Sequence, residues 1–525
     1  MKNNFWLWIL FFAAIFLYTF NLGELSLRDW DEGIVATVAR EIYRAKSGDF
    51  TWLYPQNLDG TPYWNKPPLI HNLIAFSYQL LGVNEWSTRL IPRIISALSV
   101  PLLYLIGREI FSTKNTALIA AFVYLTLIPV VRHNRLAMLD GAITSEFCFA
   151  IWCLLRLRFK QNKNLLFKSL YLLGIGFSFS LLSLTKGIAI AFLLFCLFFL
   201  FILTEIKSFS LIFSWQAITI IIAGFSPAIV WYFLQYLNYG SDFITYNLGQ
   251  QTFNRVINTV ENNHAPFWYY VLELTKYSLP WLFFLPGGIK LAIQQRNTLW
   301  AKLALIWFCC YLGAISLMTT KLPWYLIPLY PAFALLVGSQ LQKIFDLQQV
   351  KLFQNIAYQK IFIILSIIFS TATIYYTFIS QTKDANLSLI ALILATTFAV
   401  TGILINKSRY FFLSLTVGLY LALLIFVQSP HAIWELAEAY SVKPVAKLIK
   451  ANTPAKTTVY TTYPYYRPSL NFYSDRLVIP LSESQLQAIL LQKQRIYLLK
   501  SSNTPQLPDN QIIQVQGEWQ IIITN

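Results

Sequence analysis

"LRDWDEGIVATVAREI", residues 27–42, follows directly on an apolar N-terminal run and sets Asp29, Asp31 and Glu32 within four positions. Behind the acids, Ile34, Val35, Val38 and Ile42 recur at helical spacing along one face. That periodicity predicts an amphipathic helix lying along a membrane surface, opened by carboxylates where the positive helix end favours them. Upstream, Phe5 to Leu22 has no small-residue cleavage site and reads as a retained span rather than a signal peptide.

The rest of the 525 residues extends this reading. Apolar residues make up 56% of the chain and charged residues only 12%, with a mean hydropathy of +0.53. Such a balance lies far from that of a soluble domain and marks an integral membrane protein. Long apolar runs broken by short polar punctuation suit crossing helices, whereas a barrel would show ten-residue alternation. The five cysteines all fall inside apolar runs and behave as small hydrophobes, with neither disulfide nor metal spacing. The net charge of +17 sits in short gaps between runs, which argues for membrane topology and against a nucleic-acid partner.

About thirteen spans are predicted, centred near residues 13, 99, 124, 147, 177, 196, 226, 279, 311, 331, 370, 396 and 420. Placing Lys2 in the cytoplasm puts Arg108/Lys114, the Arg156–Lys168 group, Lys207, Lys290/Arg296/Lys302, Lys343/Lys351 and Lys407/Arg409 on that side as well. The first loop (23–88), the 237–266 loop and everything after Gln428 are then extracytoplasmic. Residues 1–428 form a polytopic α-helical membrane domain. Residues 429–525 turn soluble, with β-rich runs "TTVYTT" (457–462), "RIYLLK" (495–500), "IIQVQ" (512–516) and "WQIIIT" (519–524) around a helical "SESQLQAILLQKQ". A small extracytoplasmic α/β domain is predicted there.

Several polar groups on the outer side can carry chemistry. Asp29 and Glu32 have capping-box spacing, so one reading has them satisfying the first N–H groups of the helix, and another makes the acids a base or a cation ligand. Lys66 precedes Pro67 and Pro68 in a stiff, extended stretch. It is a snorkelling lysine or a phosphate ligand. "VRHNRLAMLDGA" gathers Arg132, His133, Arg135 and Asp140, either as an Asp140–Arg135 pair at a helix end or as a polar cavity. Lys186 in "LTKGIA" poses the same choice as Lys66. His264 opens an aromatic span in "NNHAPFWYY", and Lys321 stands beside Pro323, Pro328 and Pro331, where a helix should break and line a cavity. No phosphate-binding glycine loop, Rossmann fingerprint or cytoplasmic nucleotide domain is legible. Energy for a reaction must then arrive in a membrane-resident donor or an ion gradient.

Taken in order, "DE" with its "AREI" helix, "SGDFTWLYPQNLDGTPYWNKPPL", "LLGVNEWSTRLIPRI", "AMLDGA", "LTKG", "HAPFWYY" with "LPWLFFLPGG", and "KLPWYLIPLYPAFALL" resemble the GT-C superfamily of polytopic glycosyltransferases. The resemblance is to the aminoarabinose transferase and protein mannosyltransferase group, over about the first 340 residues. It implies transfer of a sugar from a polyprenyl-phosphate carrier to a lipid or protein acceptor outside the inner (cytoplasmic) membrane, with inversion at the anomeric carbon. It also implies that Asp31 matches the essential first-loop acid, that Asp140 matches the second acid, and that Lys66 and Tyr63 match the "KP" lysine and its preceding tyrosine. Asn65 stands where the aminoarabinose transferases carry an acid that, with a histidine at the place of His264, resembles a zinc site; no metal and no other cofactor is therefore expected. Gly33, Ile34 and Val35 also depart from that group's first-loop motif.

Displacing a phosphate from an anomeric carbon needs an anionic group on one side and cations on the other. Asp31 or Asp140, with Glu32 beside Asp31, are the candidate catalytic acids. Lys66, Tyr63, Arg135, Lys186, His264 and Lys321 are the candidate substrate ligands. The competing class is a transporter or lipid flippase, which predicts repeated halves with broken helices facing each other at mid-membrane. The polar groups gather on the outer side instead.

Overall fold

A computed structural model describes residues 5–29, 31–46, 48–158, 164–254, 258, 263–349, 356–408, 410–432, 439–491, 496–501 and 510–524. Lys2, Lys160, Lys163, Lys351 and Arg409, used above to orient the chain, lie outside the described residues. The apolar runs form helices because hydrocarbon offers a backbone N–H no partner except its own chain. Each of the thirteen expected centres falls in or next to a helix. Among the described residues, however, only seven helices are long and apolar enough to cross a membrane, or nine if each of two bent pairs is one span. Phe5–Thr19, Trp281–Gln294 and Tyr410–Phe426 are apolar but shorter. The bends are of 63° between Lys114–Leu125 and Ile128–Asn134, and of 106° between Ile188–Thr204 and Ile206–Phe213. Pro129 opens the second helix of the first pair, where its missing N–H costs nothing.

Contacts divide the chain into two compact units. The first comprises Met1–Asn21, Asn65–Pro67 and Pro92–Ala432. Its Asp140–Leu157 and Leu165–Lys186 helices form a hairpin, and Leu165–Lys186 packs on Trp215–Ile244 through glycines. A Cβ on Gly176 would stand 1.9 Å from the Ile221 carbonyl oxygen, and one on Gly224 2.4 Å from that of Leu173. Only glycine lets the two backbones approach so closely. Ala332 to Val337, in the Tyr330–Gln349 helix, are completely buried in the core.

The second unit comprises Leu22–Trp64, Pro68–Ile91 and Ile433–Asn525. Its five-stranded sheet contains β1 (Val459–Thr461), β2 (Val478–Pro480), β3 (Ile496–Ser501), β4 (Asn510–Gln516) and β5 (Trp519–Thr524) in the order β2-β1-β3-β5-β4. β1 runs parallel to β2 and β3, and the β5 pairings are antiparallel. Gly517, at φ +59°, makes the tight turn between β4 and β5. The period of two sorts β3 cleanly: Leu499 joins Val445, Ile449 and Leu470 on one side, while Leu498 joins Leu486 and Ile522 on the other.

The first-loop helix, Asp31–Arg44, corrects one expectation. Val35 through Arg40 are buried without a break, so it is a helix enclosed by protein and not an amphipathic helix with one face open to a membrane surface. It packs on the Pro468–Ser474 helix, and a Cβ on Gly33 would lie 2.5 Å from the Ser469 nitrogen. Glycine is required by that contact.

Candidate functional site

In the first unit, "AMLDGA" and "LTKG" meet. Asp140 is the first residue of its helix, and Gly141 follows because a Cβ there would strike Ser96 Oγ at 2.2 Å and Asn134 Oδ1 at 2.3 Å. Lys186 ends the Leu165–Lys186 helix, released by Gly187 at φ +104°. Its Nζ donates to Asp140 Oδ1, with both side chains largely buried, and lies 5.3 Å from the centre of the Tyr325 ring. Tyr325 belongs to "KLPWYLIP", so three of the stretches singled out in the sequence converge on one ammonium. A lysine so paired is held in a fixed position. It retains two further N–H donors for an anion.

Glu146, one and a half turns beyond Asp140 on the same helix, was not singled out from the sequence. Its Oε1 accepts from Thr185 Oγ1 at 2.7 Å, immediately before Lys186. An acid inside an apolar run was the signal available. The last turn of the lysine's helix is thus held at two adjacent residues. Ser183 and Ile188, on either side of Lys186, line an apolar cavity of about 300 Å³ together with Gly176, Phe179, Phe192 and Phe225.

Two expected ligands have other employment. Arg135 does not pair with Asp140: its Nη1 donates to the Leu17 carbonyl and its Nη2 to that of Phe20, each at 2.7 Å, where the Phe5–Thr19 helix ends. A guanidinium closing the open carbonyls of a helix end is a structural clamp, and the role of phosphate ligand is withdrawn from Arg135. Lys321 Nζ likewise donates to the carbonyls of Ser316 (2.8 Å), Ile315 (3.3 Å) and Met318, capping the Tyr311–Leu317 helix. The helix break expected at its prolines exists as a 3₁₀ stretch, Pro323–Leu329. His264 is exposed and forms an isolated antiparallel bridge with Thr320, while the Lys321 N–H donates to the Asn263 carbonyl at 2.9 Å.

Lys66 is half-buried ahead of Pro67. Its neighbour Asn65 accepts from the Tyr246 hydroxyl, and Gln251 Nε2 lies 3.5 Å from the same oxygen. An amide among a phenol and a second amide is not a donor set for zinc. Among the described residues, no three His, Cys, Asp or Glu side chains are grouped to hold a metal ion.

In the second unit the opening acids take different jobs. Asp29 does not cap its helix; it accepts from Arg467 Nε (2.7 Å), the Ser469 N–H (3.1 Å) and the Ser469 hydroxyl. Arg467 also lies 4.1 Å over the Tyr440 ring. Glu32 reaches back to the Arg28 N–H at 3.0 Å, one residue beyond the reach of a capping box, and is buried in an ion pair with Arg89. Arg89 was not identified from the sequence; it further bonds the carbonyls of Leu22, Leu25 and Ser26. A carboxylate so enclosed is a structural post, and Glu32 is removed from the catalytic set on that ground. Asp31 remains half-buried in the first turn of the helix. Tyr63 is buried with its ring 5.3 Å from that of His71.

Residues 65–231 match the dolichyl-phosphate-mannose-protein mannosyltransferase family. An uncharacterized protein of Aquifex aeolicus (strain VF5) is 25% identical over 70% of this chain and 69% of its own length. The undecaprenyl phosphate-alpha-4-amino-4-deoxy-L-arabinose arabinosyl transferase 1 of Pseudomonas fluorescens is 27% identical over 63% of this chain. The match spans only 59% of that transferase. ArnT from Cupriavidus metallidurans, crystallised bound to undecaprenyl phosphate, superposes with a TM-score of 0.78 over 99% of this chain and 98% of its own, at 16% identity. The oligosaccharyltransferase AglB from Archaeoglobus fulgidus, in complex with an inhibitory peptide and a dolichol-phosphate, gives a TM-score of 0.56 over 94% of this chain and 69% of its own, at 14% identity. The chain therefore shares the polytopic membrane fold of ArnT, and part of its sequence is similar to the dolichyl-phosphate-mannose-protein mannosyltransferase family and to the arabinosyl transferases.

Proposed function

We propose that this protein is a membrane glycosyltransferase that moves a sugar from a polyprenyl-phosphate carrier to a lipid or protein acceptor on the extracytoplasmic face. The N-terminus is then cytoplasmic and the 429–525 segment extracytoplasmic, as the distribution of basic residues favours. The observation that carries the reading is the setting of Lys186: a cation pinned by Asp140 and flanked in the chain by residues that line an apolar cavity. A carrier lipid needs those two surfaces side by side, a fixed positive charge for its phosphate and a dry channel for its isoprenoid tail.

In the reaction the acceptor oxygen attacks the anomeric carbon as the bond from that carbon to the phosphate oxygen breaks. The departing polyprenyl phosphate keeps the electron pair, and Lys186 with Lys66 stabilises its charge. Asp31 takes the acceptor proton as general base. Asp140 orients Lys186 and is not itself the base, since its carboxylate is engaged by that ammonium. A single displacement of this kind inverts the anomeric carbon.

Likeness to the arabinosyl transferases and to ArnT in fold supports this reading over a transporter. Binding of bare polyprenyl phosphate to the purified protein in nanodiscs tests it. Lys186→Ala should weaken that binding at least about tenfold, the cost of losing one charge-assisted partner. Equal binding by the variant removes Lys186 from the phosphate site.

A further inference from the structure

Asn65, Tyr246 and Gln251 form a cluster that the phosphate chemistry does not use. Tyr246 and Gln251 stand five positions apart in the π-helical stretch Thr245–Phe253. That wider coil brings them to one side. The Tyr246 hydroxyl donates to Asn65 Oδ1, and Gln251 Nε2 lies 3.4 Å from the Tyr246 oxygen and 3.5 Å from Asn65 Oδ1. Among the described residues, Gln251 Oε1 is buried without a hydrogen-bond partner. A buried acceptor left in that state is costly, so a donor is due there.

The chemistry of the cluster restricts the donor. All three side chains are neutral, and the next residue in the chain is the cation Lys66. An ammonium brought beside them would meet no carboxylate within the cluster and a like charge next to it. A hydroxyl group suits it better: it donates to Gln251 Oε1 and accepts from an amide N–H. Amide and phenol groups in such a set recognise polyols by shape and direction.

We infer that Asn65, Tyr246 and Gln251 form the subsite for the donor sugar, and that this sugar is uncharged and bears hydroxyl groups rather than an amino group. The inference rests on the proposed function, which puts the carrier phosphate at Lys66 and Lys186. It goes further by naming the class of sugar.

The test is competition against radiolabelled bare polyprenyl phosphate on the purified protein in nanodiscs. The competitors are polyprenyl phosphate bearing an uncharged hexose and polyprenyl phosphate bearing a 4-amino sugar. The uncharged carrier should compete at least about tenfold better, the discrimination expected when a buried polar group is matched rather than left unpaired. Gln251→Ala should erase that preference while the bare carrier binds as before, and Asn65→Asp should move the preference toward the amino sugar. An equal or stronger affinity of the wild-type protein for the amino-sugar carrier overturns the inference and leaves the proposed function standing. Failure of even the bare carrier to bind overturns both, which separates the two outcomes without relying on a variant.

Discussion

Arg89 and Glu32 meet through two hydrogen bonds of 2.7 Å, with both side chains almost completely buried. One of the three carboxylates that open the first loop is thereby committed to holding it, because the same guanidinium fastens three carbonyls of residues 22–26. Glu32→Ala should destabilise the protein by about 3–5 kcal/mol, since it leaves a buried guanidinium with no counter-charge. Replacing both partners by leucine should cost less than either single change. Thermal unfolding in detergent compares the three variants.

Gly33 is a second point of stress. Its Cα stands so near the Ser469 backbone that a methyl group would have to displace it. Gly33→Ala should lower stability by about 1–3 kcal/mol, as overpacking does, and expose the first loop to proteolysis. Limited digestion of the wild type and the variant in native membranes reads this directly.

Asp475 gives a pH dependence with a definite sign. Burial pushes its carboxyl up, but Arg44, which holds both of its oxygens at 2.7 and 3.0 Å, and Arg40 outweigh that and carry it below the ordinary aspartate range. A carboxyl depressed by folding contributes stability that is complete above its unfolded value of about 3.9 and is lost as the pH falls through the lower folded value. Wild-type melting temperature should therefore fall below about pH 4 by more than that of Asp475→Asn. Parallel acid profiles for the two proteins would refute the link.

Asp140 and Lys186 allow stability and function to be separated. Lys186→Met should lower sugar transfer by about two to three orders of magnitude, in line with loss of one preorganised charge at a leaving group. It also leaves Asp140 buried without its cation. The Asp140→Leu, Lys186→Met pair should recover expression and thermal stability and stay inactive. Transfer by that double variant at wild-type rates, followed by carrier release in membranes, would contradict the role given to the lysine.

Much of the architecture was legible because lipid and the sheet impose strong periods. Apolar runs located the helices, and β1, β3, β4 and β5 lie where the β-rich runs placed them. β2 escaped because "VIP" is three residues long and ends in proline, too short for alternation to register. The bends at residues 126–127 and near Glu205 escaped as well: hydropathy counts residues and does not report direction. At the site, sequence found charged positions but not their partners. Arg135 and Lys321 were misread for one reason, that helix-end carbonyls are a property of folded backbone and leave no trace in side-chain identity. Asp29 and Glu32 kept capping-box spacing, yet Arg467, 438 positions away, and Arg89 claimed the carboxylates.

Asp31, the first-loop acid that the sequence resemblance singles out, is the proposed general base. Its most direct test is mass spectrometry of envelope lipids and glycoproteins, together with the polyprenyl-linked donor pool, from cells expressing wild-type or Asp31→Asn protein at equal membrane levels. Asp31→Asn should cause at least about a hundredfold loss of one defined glycan, the contribution of a general base, with its carrier-linked donor accumulating. A glycan profile and donor pool indistinguishable from wild type would contradict it.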